Sequence, residues 1–265
     1  MDPAGARLRR VLVQTAPAVM GVGGLLVVWQ LAARLWKVPL WLLPTPTDIA
    51  VAAWAARASL FTHIGVTLYE TLVGFLLGVL VGVPLAALLV SSDVVYRALY
   101  PILAAVQSIP KTAIAPLLLV WLGTGELPKV VVAFLIAFFP IVVSTATGMM
   151  LVEDELLHLA GSLSASRAQV FWHIRLPSAL PHTFSACKVA VTLAVVGAVI
   201  GEFVGADRGL GYLILVASSQ LKTDLAFVAI FLLAVLGMVL FWAVSAVERL
   251  VIPWCLPERG NPAGL

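Results

Sequence analysis

Few side chains in this sequence can do chemistry, and they are scattered through long apolar runs. Charged residues make up 11% of the 265, against about 25% in a soluble domain. Lys111 stands out, in "QSIPKTAIAP", with Ser108, Pro110 and Thr112 around it. If that run crosses lipid, a Lys at its centre costs about 2.5–3.5 kcal/mol unless it faces protein or water. Pro110 and Pro116 free backbone groups nearby, and such backbone is tolerated at membrane depth where it lines a cavity. A fixed ammonium among hydroxyls would attract a passing sulfonate, nitrate or carboxylate. Glu70 and Glu202 also sit in apolar runs. Either is a possible ion-pair partner for Lys111, and Glu202, just before "GADRGLG", is placed to gate an outer mouth. Lys111, Ser108, Thr112, Glu202 and Glu70 are therefore the candidates for lining a solute pathway.

Other chemistries lack their residues. His158, His173 and His182 share one stretch, but their spacings fit no familiar metal motif. Cys187 and Cys255 are far apart and imply no disulfide framework. There is no G-x-x-x-x-G-K-[ST] phosphate loop, so ATP chemistry must come from another polypeptide. Neither H-E-x-x-H nor G-x-S-x-G is present to suggest a hydrolase. No catalytic residue, cofactor or metal is expected, and the chain does not read as an enzyme. Basic residues are dispersed and the net charge is +3, which gives no nucleic-acid surface.

The elements that position these residues are set by hydropathy. The chain is 62% hydrophobic, and a helix needs roughly 20 apolar residues to cross a bilayer. Lipid admits only helices and closed barrels. The runs here are continuous rather than alternating, so the fold class is an all-α polytopic membrane protein. Six spans are expected, over about 11–35, 64–90, 98–122, 130–150, 184–204 and 225–252. The first run is too long for a cleaved signal core and reads as a retained anchor. Pro39, Pro44 and Pro46 follow it, and Thr47 or Asp48 would cap a short helix along the membrane surface. Trp36, Trp41 and Trp54 suit the interface. Gly74, Gly78 and Gly82 line one helical face and invite close helix approach. Pro101, Pro110 and Pro116 interrupt span three. With no internal repeat, residues 1–265 read as one domain. With the N-terminus inside, the cytoplasm receives nine basic residues, beginning with Arg7, Arg9 and Arg10, against six outside. That excess orients the chain with both termini cytoplasmic.

On this orientation the most polar long stretch, within residues 151–182, faces the cytoplasm. In "SLSASRAQVFWHIRLPSALP", Leu163, Val170, Phe171 and Ile174 recur at helical spacing between Ser166, Arg167, Gln169 and His173. That is a short amphipathic helix, which Pro177 and Pro181 then stop. The residues alone leave two placements open, a groove on a partner or the inner leaflet.

The same stretch resembles the coupling loop of ABC-importer permeases. In that family Glu-Ala-Ala is followed after three residues by Gly, and after nine more by Ile-x-Leu-Pro. Ile174, Leu176 and Pro177 match the ending; Ser164 falls at the glycine, and His158, Leu159 and Ala160 at Glu-Ala-Ala. Ala160 agrees, while His158, Leu159 and Ser164 depart. "LLPTPTDI", "LVGFLLGVLVGVPLAALL", "IPKTAIAPLLLVWLGTGELPKV" and "GEFVGADRGLGYLI" are similar to stretches of the nitrate/sulfonate/taurine branch. The resemblance implies a type I importer permease in the inner membrane, a homodimer with two cytoplasmic ATPase subunits and an external substrate-binding protein. It implies alternating access for a small solute, an anionic one on the Lys111 reading, or a neutral or cationic one such as a pyrimidine precursor. It places ATPase coupling on Ser164, Ala165, Ser166, Arg167, Val170, Phe171, Trp172, Ile174, Leu176 and Pro177. An ion-driven secondary transporter or channel is the rival class, but such proteins often carry paired repeats. A membrane scaffold or enzyme subunit without transport activity is another.

Overall fold

A computed structural model describes residues 3–255. Arg7, Arg9, Arg10 and Arg259, which contribute to the orientation reading, lie outside the side chains it describes. Helix α1 covers Pro3–Leu35, α2 Pro46–Val90, α3 Asp93–Ser108, α4 Lys111–Leu122 and α5 Leu127–Met150. Then come α6 (Asp154–Ser162), α7 (Arg167–Val170), a π turn (Phe171–Arg175), α8 (Leu176–Gly205), α9 (Leu210–Ser219) and α10 (Thr223–Val251). Among the described residues there is no strand. Among the described residues, four helices are long and apolar enough to span a membrane: α2, α5, α10 and the continuous Arg167–Gly205 helix. The bent pair α3 and α4 makes a fifth span, and the apolar Met20–Leu35 part of α1 stands where the first span is expected.

Three boundaries differ from the sequence reading, each for a local reason. The expected surface helix and span two are one 45-residue helix, α2. Its N-cap is Thr45 rather than Thr47 or Asp48. Thr45 N–H donates to Asp48 Oδ2 (3.0 Å) and Asp48 N–H to Thr45 Oγ1 (3.3 Å), a reciprocal capping box with Pro46 in the first turn. No Pro or Gly follows before Gly65, so nothing breaks the helix.

Span three is cut at one of its three prolines only. Ile109 is extended (φ −71°, ψ 127°), as a residue before proline prefers, and α3 and α4 meet at 89°. Pro101 and Pro116 lie inside helices. Finally, Pro177 and Pro181 do not end the amphipathic helix. At the π turn, Leu176 N–H reaches back five residues to the Phe171 carbonyl. The wider turn relieves the clash that the Pro177 ring would make with the His173 carbonyl.

The chain forms two compact units. In the first (Met1–Phe61 and Leu213–Phe231), Gln30 Nε2 donates to Thr47 Oγ1 (3.1 Å) and Thr47 N–H to Gln30 Oε1 (3.2 Å). Trp29 packs on Phe227 and Phe231 at 5.9 and 6.2 Å between ring centroids. In the second (Thr62–Tyr212 and Leu232–Leu265), α5 is the central element. The glycine face of α2 meets it: a Cβ at Gly74 would lie 2.6 Å from the Ala133 Cβ, and one at Gly82 3.1 Å from Ile141 Cγ2. Helix α8 approaches as closely, since a Cβ at Gly197 would lie 2.6 Å from the Ala133 Cα. Ala133, Ala137 and Ile141 are buried there with Ala190, Val191 and Ala194 of α8. With small residues on both sides, backbones approach until dispersion contacts hold them.

Candidate functional site

Helix α6 ends where the coupling-loop pattern has its glycine. Ser164 takes the left-handed conformation, φ 56°. Its N–H donates to the Gly161 carbonyl (2.9 Å), and Ala165 N–H to the Ala160 carbonyl (3.0 Å). This is a Schellman closure, and it reverses the chain into Ser166. That residue starts the next helix with its own capping box: Gln169 N–H donates to Ser166 Oγ (3.3 Å) and Ser166 N–H to Gln169 Oε1 (2.8 Å).

The expected apolar stripe is divided between two directions. Val170 and Ile174 face α6 across a hollow of about 430 Å³ that Leu159, Leu163 and His173 also wall. Phe171 is half-buried and meets Trp172 edge to face at 5.3 Å. Arg167, Ser166 and Trp172 are exposed, Trp172 by 63%. Together with Ser91, Ser92 and Arg175, the residues Arg167, Phe171 and Trp172 wall a second hollow of about 1010 Å³. Arg175 Nη1 donates to the Val90 carbonyl (2.9 Å), which satisfies the C-terminal end of α2. Leu176 and Pro177 are half-buried at the entry to α8.

The pathway candidates separate into two groups. Lys111 opens α4 at the elbow, where its ammonium donates to the Gln107 carbonyl and lies 5.0 Å from the centre of the Phe139 ring. Ser108 and Thr112 beside it are exposed, and Ser108 Oγ donates to the Ala104 carbonyl (3.1 Å). Lys111 pairs with neither Glu70 nor Glu202, contrary to that alternative. The elbow turns it toward α3 and Phe139 instead.

Glu70 and Glu202 are together, but in a buried network (0% and 1% exposed). Lys129 of α5 lies 3.3 Å from Glu70 Oε1 and is itself buried. Glu202 Oε1 accepts from the Thr67 hydroxyl (2.6 Å), while its Oε2 accepts from the N–H groups of Gly211 and Tyr212 (3.2 Å for Tyr212). Leu210 N–H donates to Thr67 Oγ1 (2.8 Å) and Gly209 N–H to His63 Nδ1 (3.0 Å). Sequence reasoning missed Lys129, Thr67 and His63. Lys129 read as one basic residue of an outer turn, because Pro128 conceals that the helix has already begun. The available signal was Thr67 and Glu70 one turn apart on an apolar helix, where polar groups need partners.

Comparison with known proteins agrees with this architecture. Residues 74–253 match the family model described as the binding-protein-dependent transport system inner membrane component. The chain is 36% identical over 231 residues to the formylaminopyrimidine transport permease ThiX of Halalkalibacterium halodurans, covering 87% of this chain and 92% of that one. It is 38% identical to the riboflavin transport system permease RibX of Chloroflexus aurantiacus, covering 87% of each. With the taurine transport system permease TauC of Escherichia coli it shares 30% over 237 residues, 87% of this chain and 86% of that one. In fold it is similar to a chain of the inward-facing MetNI methionine ABC transporter, with a TM-score of 0.65 at 22% identity over 74% of this chain and 98% of that one. The chain therefore belongs to the binding-protein-dependent transport system inner membrane component family, as a multi-pass permease subunit of an ABC importer whose ATP hydrolysis lies in separate chains.

Proposed function

We propose that this permease carries a small organic solute inward by alternating access, as a homodimer driven by two ATPase subunits and fed by an external binding protein. Residues 1–265 act as one permease domain. ATPase docking is assigned to Ser164–Ile174 with Leu176 and Pro177 behind it, and its outward contacts are Arg167 and Trp172. One observation carries this reading: the exposed, doubly capped segment begins a helix that runs unbroken from Arg167 to Gly205, so a partner holding the segment holds a membrane span. Both termini and residues 151–182 are cytoplasmic, with "GTGELPK" and "GADRGLG" outside.

Relatives at 36% and 38% identity are named for formylaminopyrimidine and riboflavin, which favours a heteroaromatic solute. A small organosulfonate is the second reading. It is favoured by the Lys111 ammonium at the elbow beside the exposed Ser108 and Thr112, which are proposed to line the pathway. Purifying the complex with its binding protein and identifying the retained solute by mass spectrometry separates the two. Uptake into vesicles must then require ATP and the cognate ATPase; uptake without either would refute the importer reading. Single cysteines in a background lacking Cys187 and Cys255, probed with an impermeant thiol reagent, test the orientation. Labelling of residues 162–182 from outside would reverse it.

A further inference from the structure

The coupling segment and the Glu202 network occupy opposite ends of one helix. From Arg167 to Gly205 the chain is helical for 39 residues, roughly 58 Å at the α-helical rise. Its first turns carry Arg167 and Trp172. Its last turn carries Glu202, whose two oxygens are both engaged.

What Glu202 grips is the start of the next helix. Four successive N–H groups, Gly209 to Tyr212, have no acceptor within α9. They are taken by His63, Thr67 and Glu202. Carboxyl oxygens set against such a helix start accept the N–H groups that the helix itself leaves unpaired. The fit leaves no slack. Gly209 has φ +118°, and a Cβ there would lie 2.2 Å from Glu202 Cδ. Glu70 and Lys129 join the neighbouring α2 and α5 by an ion pair, and Glu202 adds the bonds to α9. The covalent link between the two helices, Ala206 to Gly209, is by contrast short and non-helical, and the side chains of Asp207 and Arg208 are exposed.

We propose that Glu202 is a positioning residue for transport: it fastens the start of α9 to the far end of the Arg167–Gly205 helix, so that displacement of the docked coupling segment is delivered to the opposite side of the membrane. This rests on the ATPase-docking reading of Ser164–Ile174. Without Glu202, the start of α9 would lose its side-chain hydrogen bonds to that helix, and ATP hydrolysis would no longer respond to what binds outside.

The test uses the full complex of permease and cognate ATPase, with two readouts: hydrogen exchange of the Gly209–Tyr212 amides, and the ratio of ATP hydrolysis with and without the cognate binding protein. Glu202→Ala should speed exchange of these amides at least ~10-fold, as expected for leaving buried donors without an acceptor, and bring the ratio to one. Glu202→Gln should retain both properties. Its amide oxygen can accept from Gly211 and Tyr212, its NH₂ can donate to Thr67 Oγ1, and the Thr67 proton can turn to the His63 carbonyl 3.2 Å away. Thr67→Val, a near-isosteric change, should act like Glu202→Ala in milder form if the alanine variant does not assemble. Lost protection with a preserved ratio would make Glu202 a purely structural cap and overturn the proposal. Preserved protection in both Glu202→Ala and Thr67→Val would overturn it too. Failure of the unaltered chain to bind or couple to the ATPase would instead refute the docking reading, before any variant is compared.

Discussion

Replacing Lys129 with Met should destabilise the protein far more than any other single loss of positive charge. The ammonium lies 3.3 Å from Glu70 Oε1, and the two side chains are 4% and 0% exposed. At an effective dielectric constant of 20, unit charges at that distance attract by about 5 kcal/mol. Part of this only offsets the cost of burying both ions. What the substitution exposes is the remainder: Glu70 is left in a dry site without its cation, and breaking a buried pair this way costs about 3–5 kcal/mol. For a chain of this size each kcal/mol moves Tm by roughly 2–4 °C, so a fall of about 6–20 °C is expected. Adding Glu70→Gln to Lys129→Met removes the unpartnered acid and should recover most of the loss, because a buried pair replaced by neutral groups is often near neutral in stability. The assay is thermal unfolding of the purified permease in detergent, followed by tryptophan fluorescence, over the four corners of the cycle. A loss below about 1 kcal/mol in Lys129→Met, the value of an exposed pair, would refute the reasoning. So would a double variant no more stable than Lys129→Met.

Lys111→Met should behave oppositely, costing no more than about 1 kcal/mol because the cation only rests against Phe139 and the Gln107 carbonyl; on the pathway reading, uptake of an anionic solute falls while complex assembly, checked by size-exclusion chromatography, persists. Ser164→Gly should raise stability by about 0.5–1 kcal/mol, since it removes a left-handed non-glycine residue at little cost elsewhere, and a thermal melt would read this directly. Arg167→Glu and Phe171→Asp should each leave the chain in the membrane but abolish ATP-driven uptake, as loss of an interface anchor commonly costs about 2 kcal/mol or more. Full uptake by both would favour the inner-leaflet placement of this segment.

Local features were legible in the sequence where the cause was local. Continuous apolar runs marked the four long spans and the bent pair, and Gly74, Gly78 and Gly82 marked a face for close packing, which α5 fills. Ser164 is instructive, because the geometry of a glycine survives there without the glycine. Prolines were harder to read. Pro110 breaks a helix, yet Pro101, Pro116 and Pro181 do not, and the difference lies in whether neighbouring turns can release the clashing carbonyl. The buried network was not legible at all. Thr67 and Glu202 are 135 residues apart, and only packing tells which cation reaches Glu70.

The 45 residues of α2 amount to about 68 Å of helix, more than twice the roughly 30 Å of hydrocarbon in a bilayer. At 29 residues, α10 also overhangs, by about 14 Å. Central α5, with 24 residues, is about 36 Å long and close to the natural thickness. Hydrophobic mismatch in a thicker or thinner membrane is therefore absorbed at the ends of α2 and α10, where the lipid boundary can slide along spare helix. The small-residue seams on α5 need not stretch, so this permease should tolerate lipids of varied chain length better than a bundle of equal, closely matched spans.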